Sequence, residues 1–264
     1  MIAVYRQLLI AQIQTVAQYR IQSFLWMLFA VIRPTIFLAA WVAVARAQGG
    51  SVGGYTTSDF AGYYIVLTLV GHLTTAWNSF EFEFEIRQGR LSPKLLRPLH
   101  PLHYAVVENI VWKGTTILPL LAVLVLLAVT FDVRFATQPW HIALFVPSML
   151  LAMALSFMVG WVVGCGAFWL QRVQTLNTLM QRTAFVFAGQ IAPISLMPVP
   201  LQVAAWALPF AYILAAPTEI LRGGVSLEQA LVLIAGQIGW LIVSCVLFTF
   251  VWRAGLRQYS AVGA

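Results

Sequence analysis

Six stretches of about 20 mostly apolar residues recur along this chain, nearly free of acidic side chains. That length, as helix, matches a hydrocarbon core ~30 Å thick. The expected crossings run from about Phe24 to Ala45, Phe60 to Phe80, Tyr104 to Phe131, Trp140 to Leu170, Leu176 to Leu196 and Leu227 to Trp252. Arg33-Pro34 interrupts the first, and Arg182 lies near the start of the fifth. Only 9% of residues are charged, against roughly 25% in a soluble domain. Lipid must therefore solvate much of the surface. The expected fold is all-α: one polytopic transmembrane domain over residues 1–264, with six membrane helices.

Two further pieces are apolar without being clean spans. In residues 1–22, Leu8, Leu9, Ile13, Val16 and Ala17 recur near helical spacing among Gln and Arg. This pattern suits an amphipathic interfacial helix, or a cytoplasmic extension of the first crossing. Leu201–Leu221 is broken by Pro209 and Pro217, which remove backbone donors and kink a helix. Residues 197–224 therefore read as an outer re-entrant hairpin before the last crossing.

The net charge of +7 is an orientation signal rather than a nucleic-acid footprint. Arg6, Arg20, Arg87, Arg90, Lys94, Arg97, Arg172, Arg253 and Arg257 fall on one side of the predicted membrane. Arg46, Arg134 and Arg222 fall on the other. The basic side is cytoplasmic, and with six crossings both termini lie there. A seventh crossing at 201–221 would export the C-terminal arginines.

The connection between the second and third crossings, residues 81–103, concentrates charge. It opens Glu81-Phe82-Glu83-Phe84-Glu85 and then turns basic around Gly89. A helix here would carry Ile86, Leu91, Leu95 and Leu96 on its apolar side. The plain alternative is an ordinary basic cytoplasmic loop. The leucines and the prolines near Pro98 point instead to a structured docking element.

Glu85-x-x-x-Gly89-x-Leu91-x-x-x-Leu95-Leu96-x-Pro98 resembles the cytoplasmic coupling segment of type-2 ATP-binding-cassette export permeases. Leu208-Pro209-Phe210-Ala211-Tyr212, followed by Pro217, Glu219 and Arg222, resembles the P-x-x-Y…E-x-x-R segment those permeases carry on the outer side. The chain looks most like a small bacterial six-helix subgroup, in which two different permeases often accompany one ATPase. Some of its members have been linked to export of lipophilic cations. The resemblance implies a permease subunit of an exporter in the bacterial inner membrane, moving a hydrophobic or amphipathic substrate. It implies as partners two copies of an ATPase subunit, which holds ATP and Mg, and a second permease, identical or related. It implies ATPase coupling through Glu85, Arg87, Gly89, Arg90, Leu91, Leu95, Leu96 and Pro98. The outer hairpin residues it implies are Pro209, Tyr212, Glu219 and Arg222.

No cofactor is expected on this chain. It has no G-x-x-x-x-G-K-[ST] loop to cradle phosphates. It also has no H-E-x-x-H pair or metal-spaced Cys/His cluster, so it is not expected to be an enzyme. A membrane-embedded lipid-modifying enzyme would need converging polar groups, and a secondary transporter intramembrane acids and repeats; neither pattern is evident. The substrate-pathway candidates are Arg33, Trp77 and Tyr212. Arg33 would sit near mid-membrane, facing a cavity, paired in the structure, or snorkelling to the interface. The small residues Ser156, Gly160 and Gly164 favour close helix packing, within the bundle or between permeases.

Overall fold

The structure, a computed structural model, describes residues 2–133, 135–170 and 172–259. Arg134 and the side chain of Arg20, both used to orient the chain, lie outside the described residues. Twelve α-helices are described. They are α1 (Ile2–Gln18), α2 (Arg20–Ala47), α3 (Thr57–Thr74), α4 (Asn78–Arg87), α5 (Leu91–Leu95) and α6 (Leu102–Thr130). After these come α7 (Pro139–Gly164), α8 (Gln174–Phe187), α9 (Val199–Trp206), α10 (Pro209–Ile213), α11 (Ala215–Arg222) and α12 (Leu227–Gln258). Among the described residues the one strand pairing is a hairpin, β1 (Ser51–Val52) and β2 (Tyr55–Thr56), turned by glycines at positive φ.

Four of these helices, α2, α6, α7 and α12, are long and apolar enough to cross a membrane. Pro34 does not interrupt α2, which runs through it. Along α12, Leu231, Val232, Ile238, Ile242 and Phe250 remain exposed, an apolar face that lipid covers. The other two expected crossings differ. α3 has 18 residues and stops at Thr74, where Thr74 and Thr75 hydroxyls donate back to the Val70 and Gly71 carbonyls. It is the central helix, with Phe60, Tyr63, Tyr64 and Leu67 packed among Leu38, Val42, Met149 and Leu155. Protein rather than lipid surrounds it, so Asp59, two tyrosines and His72 lower its hydropathy without penalty.

The fifth expected crossing, Leu176–Leu196, is not one continuous helix. α8 has 14 residues, about 21 Å of helix, and ends before Gly189 (φ 79°). Tyr63 Oη donates to the Gly189 carbonyl at 2.8 Å. Tyr64 Oη and Trp41 Nε1 both donate to the Ile191 carbonyl at 2.7 Å. These donors satisfy the carbonyls of an irregular, largely buried backbone segment.

The bent pair Val199–Trp206 and Pro209–Arg222 turns through 74°. Leu208-Pro209 makes the break, because a residue before proline is pushed out of helical geometry. α1 ends at Gln18, four residues short of the boundary expected at residue 22. It lies along α6, where Val16 packs on Val107 and Val111. Tyr5 Oη also hydrogen-bonds His103 Nδ1 at 2.5 Å.

Candidate coupling surface and membrane cavities

Residues 81–103 form two short helices rather than one. α4 ends at Gln88, and Gly89 turns the chain at φ 68°, a left-handed conformation that suits glycine. The one-residue-apart glutamates of α4 cannot share a face, since each step rotates a helix by about 100°. Glu81 and Glu85 point one way and Glu83 the other.

Glu83 is buried, and its carboxylate accepts from the Val173 backbone N–H at 3.1 Å. It also lies 3.7 Å from Arg87 Nη1. Beside it Phe82, 2% exposed, enters an aromatic core with Trp161, Phe168 and Trp252. The backbone of α4 approaches α7 through glycines. A Cβ on Gly164 would lie 3.1 Å from Ser79 Cα, and one on Gly160 would collide with Asn78. The small-residue stripe thus serves packing inside the bundle. Asn78 Nδ2 donates to the Phe157 carbonyl at 2.8 Å.

The three leucines placed together by sequence separate here. Leu91 is 0% exposed, in the aromatic core. Leu95 and Leu96 face outward, Leu96 at 89% exposure. Around them Arg87, Arg90 and Pro98 are also exposed. Glu85 pairs with Lys94 across the Gly89 turn, and Arg90 lies over the Phe84 ring at 5.1 Å. Ser92 hydrogen-bonds Tyr259 at 2.8 Å, tying α5 to the end of α12. The result is a basic surface with two apolar tips, fastened to α7, α12 and the strand of chain before α8.

Glu81 lines a cavity of 330 Å³ with Glu108, Trp26, Trp77 and Trp112. Burial first, and then the neighbouring Glu108, hold the Glu81 carboxyl well above the usual carboxylate range. Trp77 also borders two further cavities, of 340 and 330 Å³, and Arg33 lines both. The Arg33 guanidinium lies 5.3 Å from the Phe185 ring centroid of α8. Tyr212 lies elsewhere. It packs against Trp206 and Gly236, and Gln237 Nε2 donates to its carbonyl at 2.9 Å.

Glu219 and Arg222 form an ion pair at 2.6 Å on α11, and Arg222 also donates to Tyr55 Oη at 2.6 Å. Tyr55 in turn hydrogen-bonds Ser195 at 2.8 Å. Pro209 opens α10 at its first position, where its missing N–H costs nothing. This motif clips the bent helix pair to the β hairpin. Sequence reasoning assigned none of Glu83, Glu81, Glu108, His72 and Gln190 to the site. The helical period alone would have separated Glu83 from its neighbours; the cavity residues come together only through tertiary packing.

Among the described residues no group of His, Cys, Asp and Glu could hold a metal ion. No curated protein matches the chain. The model of the family described as "ABC-2 family transporter protein" matches residues 30–263, nearly the whole chain, and the chain therefore belongs to that family of membrane transport components.

Proposed function

We propose that this chain is the permease subunit of an ATP-driven exporter, with α4, α5 and their connecting turn as its ATPase-docking element. The observation that carries this reading is Leu96. A leucine 89% exposed at the tip of a basic, internally fastened two-helix element is poorly explained as loop or core. A partner groove would bury it. Motion of the partner would then pass through Phe82 and Leu91 into α7 and α12, and through Glu83 into the chain before α8. The other chain supplies ATP hydrolysis and Mg, and this one converts the motion into alternating access.

The proposed arrangement has α2, α3, α6, α7, α8 and α12 crossing a bacterial inner membrane, with both termini cytoplasmic. Residues 197–224 enter and leave on the outer face. Although α8 is short, its pinned continuation at Gly189–Ile191 supports passage without regular helix. Two such permeases and two ATPases would form the working exporter, and its cargo would be hydrophobic or amphipathic.

The experiment is a Leu95→Ala/Leu96→Ala double variant, co-expressed with the cognate ATPase. Insertion should be unchanged, while co-purification of the ATPase and transport-dependent ATP turnover should fall at least about tenfold. Retention of both at wild-type level would reduce residues 81–103 to a basic loop.

A further inference from the structure

We propose that the cavity between α2, α3 and α6 binds the phosphate head of an anionic, lipid-like amphiphile, with Arg33 as its charge partner and His72 as its hydrogen-bond partner. This inference rests on the permease reading and names a chemical class for its cargo.

The cavity holds 340 Å³, room for a head group but not for acyl chains. Arg33, His72, Thr68, Thr75 and Gln190 contribute its polar lining, and no Asp or Glu does. None of the carboxylates in the described residues forms an ion pair with Arg33. A guanidinium in a membrane helix with no acidic partner is costly, so the site is built for an anion that arrives with the ligand. Lys113, itself only 7% exposed, adds positive potential at His72.

His72 narrows the class. It is 1% exposed, and its Nδ1 has no hydrogen-bond partner. The Thr116 hydroxyl donates its hydrogen to the Trp112 carbonyl at 2.7 Å. It also lies 3.0 Å from His72 Nε2, so one ring nitrogen of His72 is already engaged. Nδ1 remains a buried polar atom without a partner, which a ligand able both to donate and to accept would satisfy in either tautomer. An ionised oxygen for Arg33, with a further oxygen that can donate to or accept from His72, is the pattern of a singly protonated phosphate monoester. A fully ionised carboxylate lacks the hydroxyl, and an ammonium head lacks the anion. The chains have a place too: Phe29, Ile32 and Ile36 flank Arg33 on α2 and are exposed at 63%, 50% and 60%.

The test uses the full chain in phosphatidylcholine nanodiscs, without ATPase. The probe is phosphatidic acid carrying a photoactivatable acyl chain. Chain-matched diacylglycerol, fatty carboxylate and alkyl quaternary ammonium probes serve as controls. Labelled peptides are mapped by mass spectrometry. Phosphatidic acid should label the Phe29–Ile36 segment at least about tenfold more than any control. Arg33→Gln should abolish that preference and Arg33→Lys should retain part of it. Because Arg33 is exposed, both variants should keep the wild-type melting profile. His72→Phe should narrow the gap between phosphate and carboxylate probes. Equal labelling by neutral, carboxylate or cationic probes would overturn the proposal, as would an Arg33→Gln variant with its preference intact. Since no ATPase is present, a negative result leaves the docking reading untouched, and a failed docking experiment leaves this one standing.

Discussion

Glu83 reaches across from α4 to accept the backbone N–H of Val173 at 3.1 Å, two elements separated by 90 positions in the chain. Its charged carboxylate ties the proposed docking element to the segment leading into α8. Replacing it with alanine would leave a buried N–H without an acceptor, at a cost of about 1–3 kcal/mol. Glu83→Ala should therefore lower the melting temperature of the detergent-solubilised protein. Glu83→Gln, which keeps an acceptor oxygen, should lose less. Thermal denaturation of the two variants side by side checks the order. Equal melting temperatures for both variants and wild type would mean that the contact carries no stability.

Leu91 and Leu96 should behave oppositely. Leu91 is 0% exposed beside Phe82 and Trp252, so Leu91→Ala should destabilise the fold by about 2–5 kcal/mol. Leu96 has almost no intramolecular contact, so Leu96→Ala should stay within about 0.5 kcal/mol of wild type. Chemical denaturation of each variant alone, followed by ATPase co-purification, separates a core residue from a docking one.

A pH dependence follows from Glu81. Its carboxyl is held above the ordinary range by burial and by Glu108, so the folded state favours the protonated form. The stabilisation is fully present below the ordinary carboxylate range and is lost as pH rises through the raised folded value. Wild type should therefore melt higher at about pH 5 than at about pH 8, and Glu81→Gln, permanently neutral, should flatten that difference. Glu85 and Lys94 face the same group and remain in the variant. An unchanged pH profile in Glu81→Gln would move the effect to other groups.

Much of this molecule could be read from its apolar periodicity. The four long spans follow from length and hydropathy alone, and the Gly89 turn follows from a glycine set between a charged helix and a leucine run. The end of α8 could not be read so. Ala188-Gly189-Gln190-Ile191-Ala192 is as apolar as a helix interior. What stops the helix is capture of its carbonyls by Tyr63, Tyr64 and Trp41, contacts made over more than a hundred residues. Tyr212 shows the same limit. The ring of this residue of the outer motif fills the space left by Gly236, a contact that no local pattern announces. The split of Leu91 from Leu95 and Leu96 likewise depends on which side of the turn meets the aromatic core.

Topology decides whether the bent helices α9 to α11 form a hairpin or a crossing. The positive-inside count predicts that Arg253 and Arg257 are cytoplasmic. The Arg222–Tyr55–Ser195 chain links the bent helices to the β hairpin that follows α2. Gly223 also approaches Ala136 closely, and Thr137 Oγ1 donates to the Leu221 carbonyl at 2.6 Å. The connections after α2, after α6 and after α11 therefore lie together at one end of the bundle. Ser92 of α5 and Tyr259 of the C-terminal end of α12 meet at another contact. If the bent helices were a crossing, the connections after α2 and α11 could not share one side of the membrane. With both native cysteines replaced, single cysteines at Ser51, Gln138 and Gly224 should react with an impermeant maleimide applied to intact cells. Those at Ser92 and Gln258 should react only after permeabilisation. Labelling of Gln258→Cys from outside would turn the hairpin into a seventh span and reverse the parity of the chain.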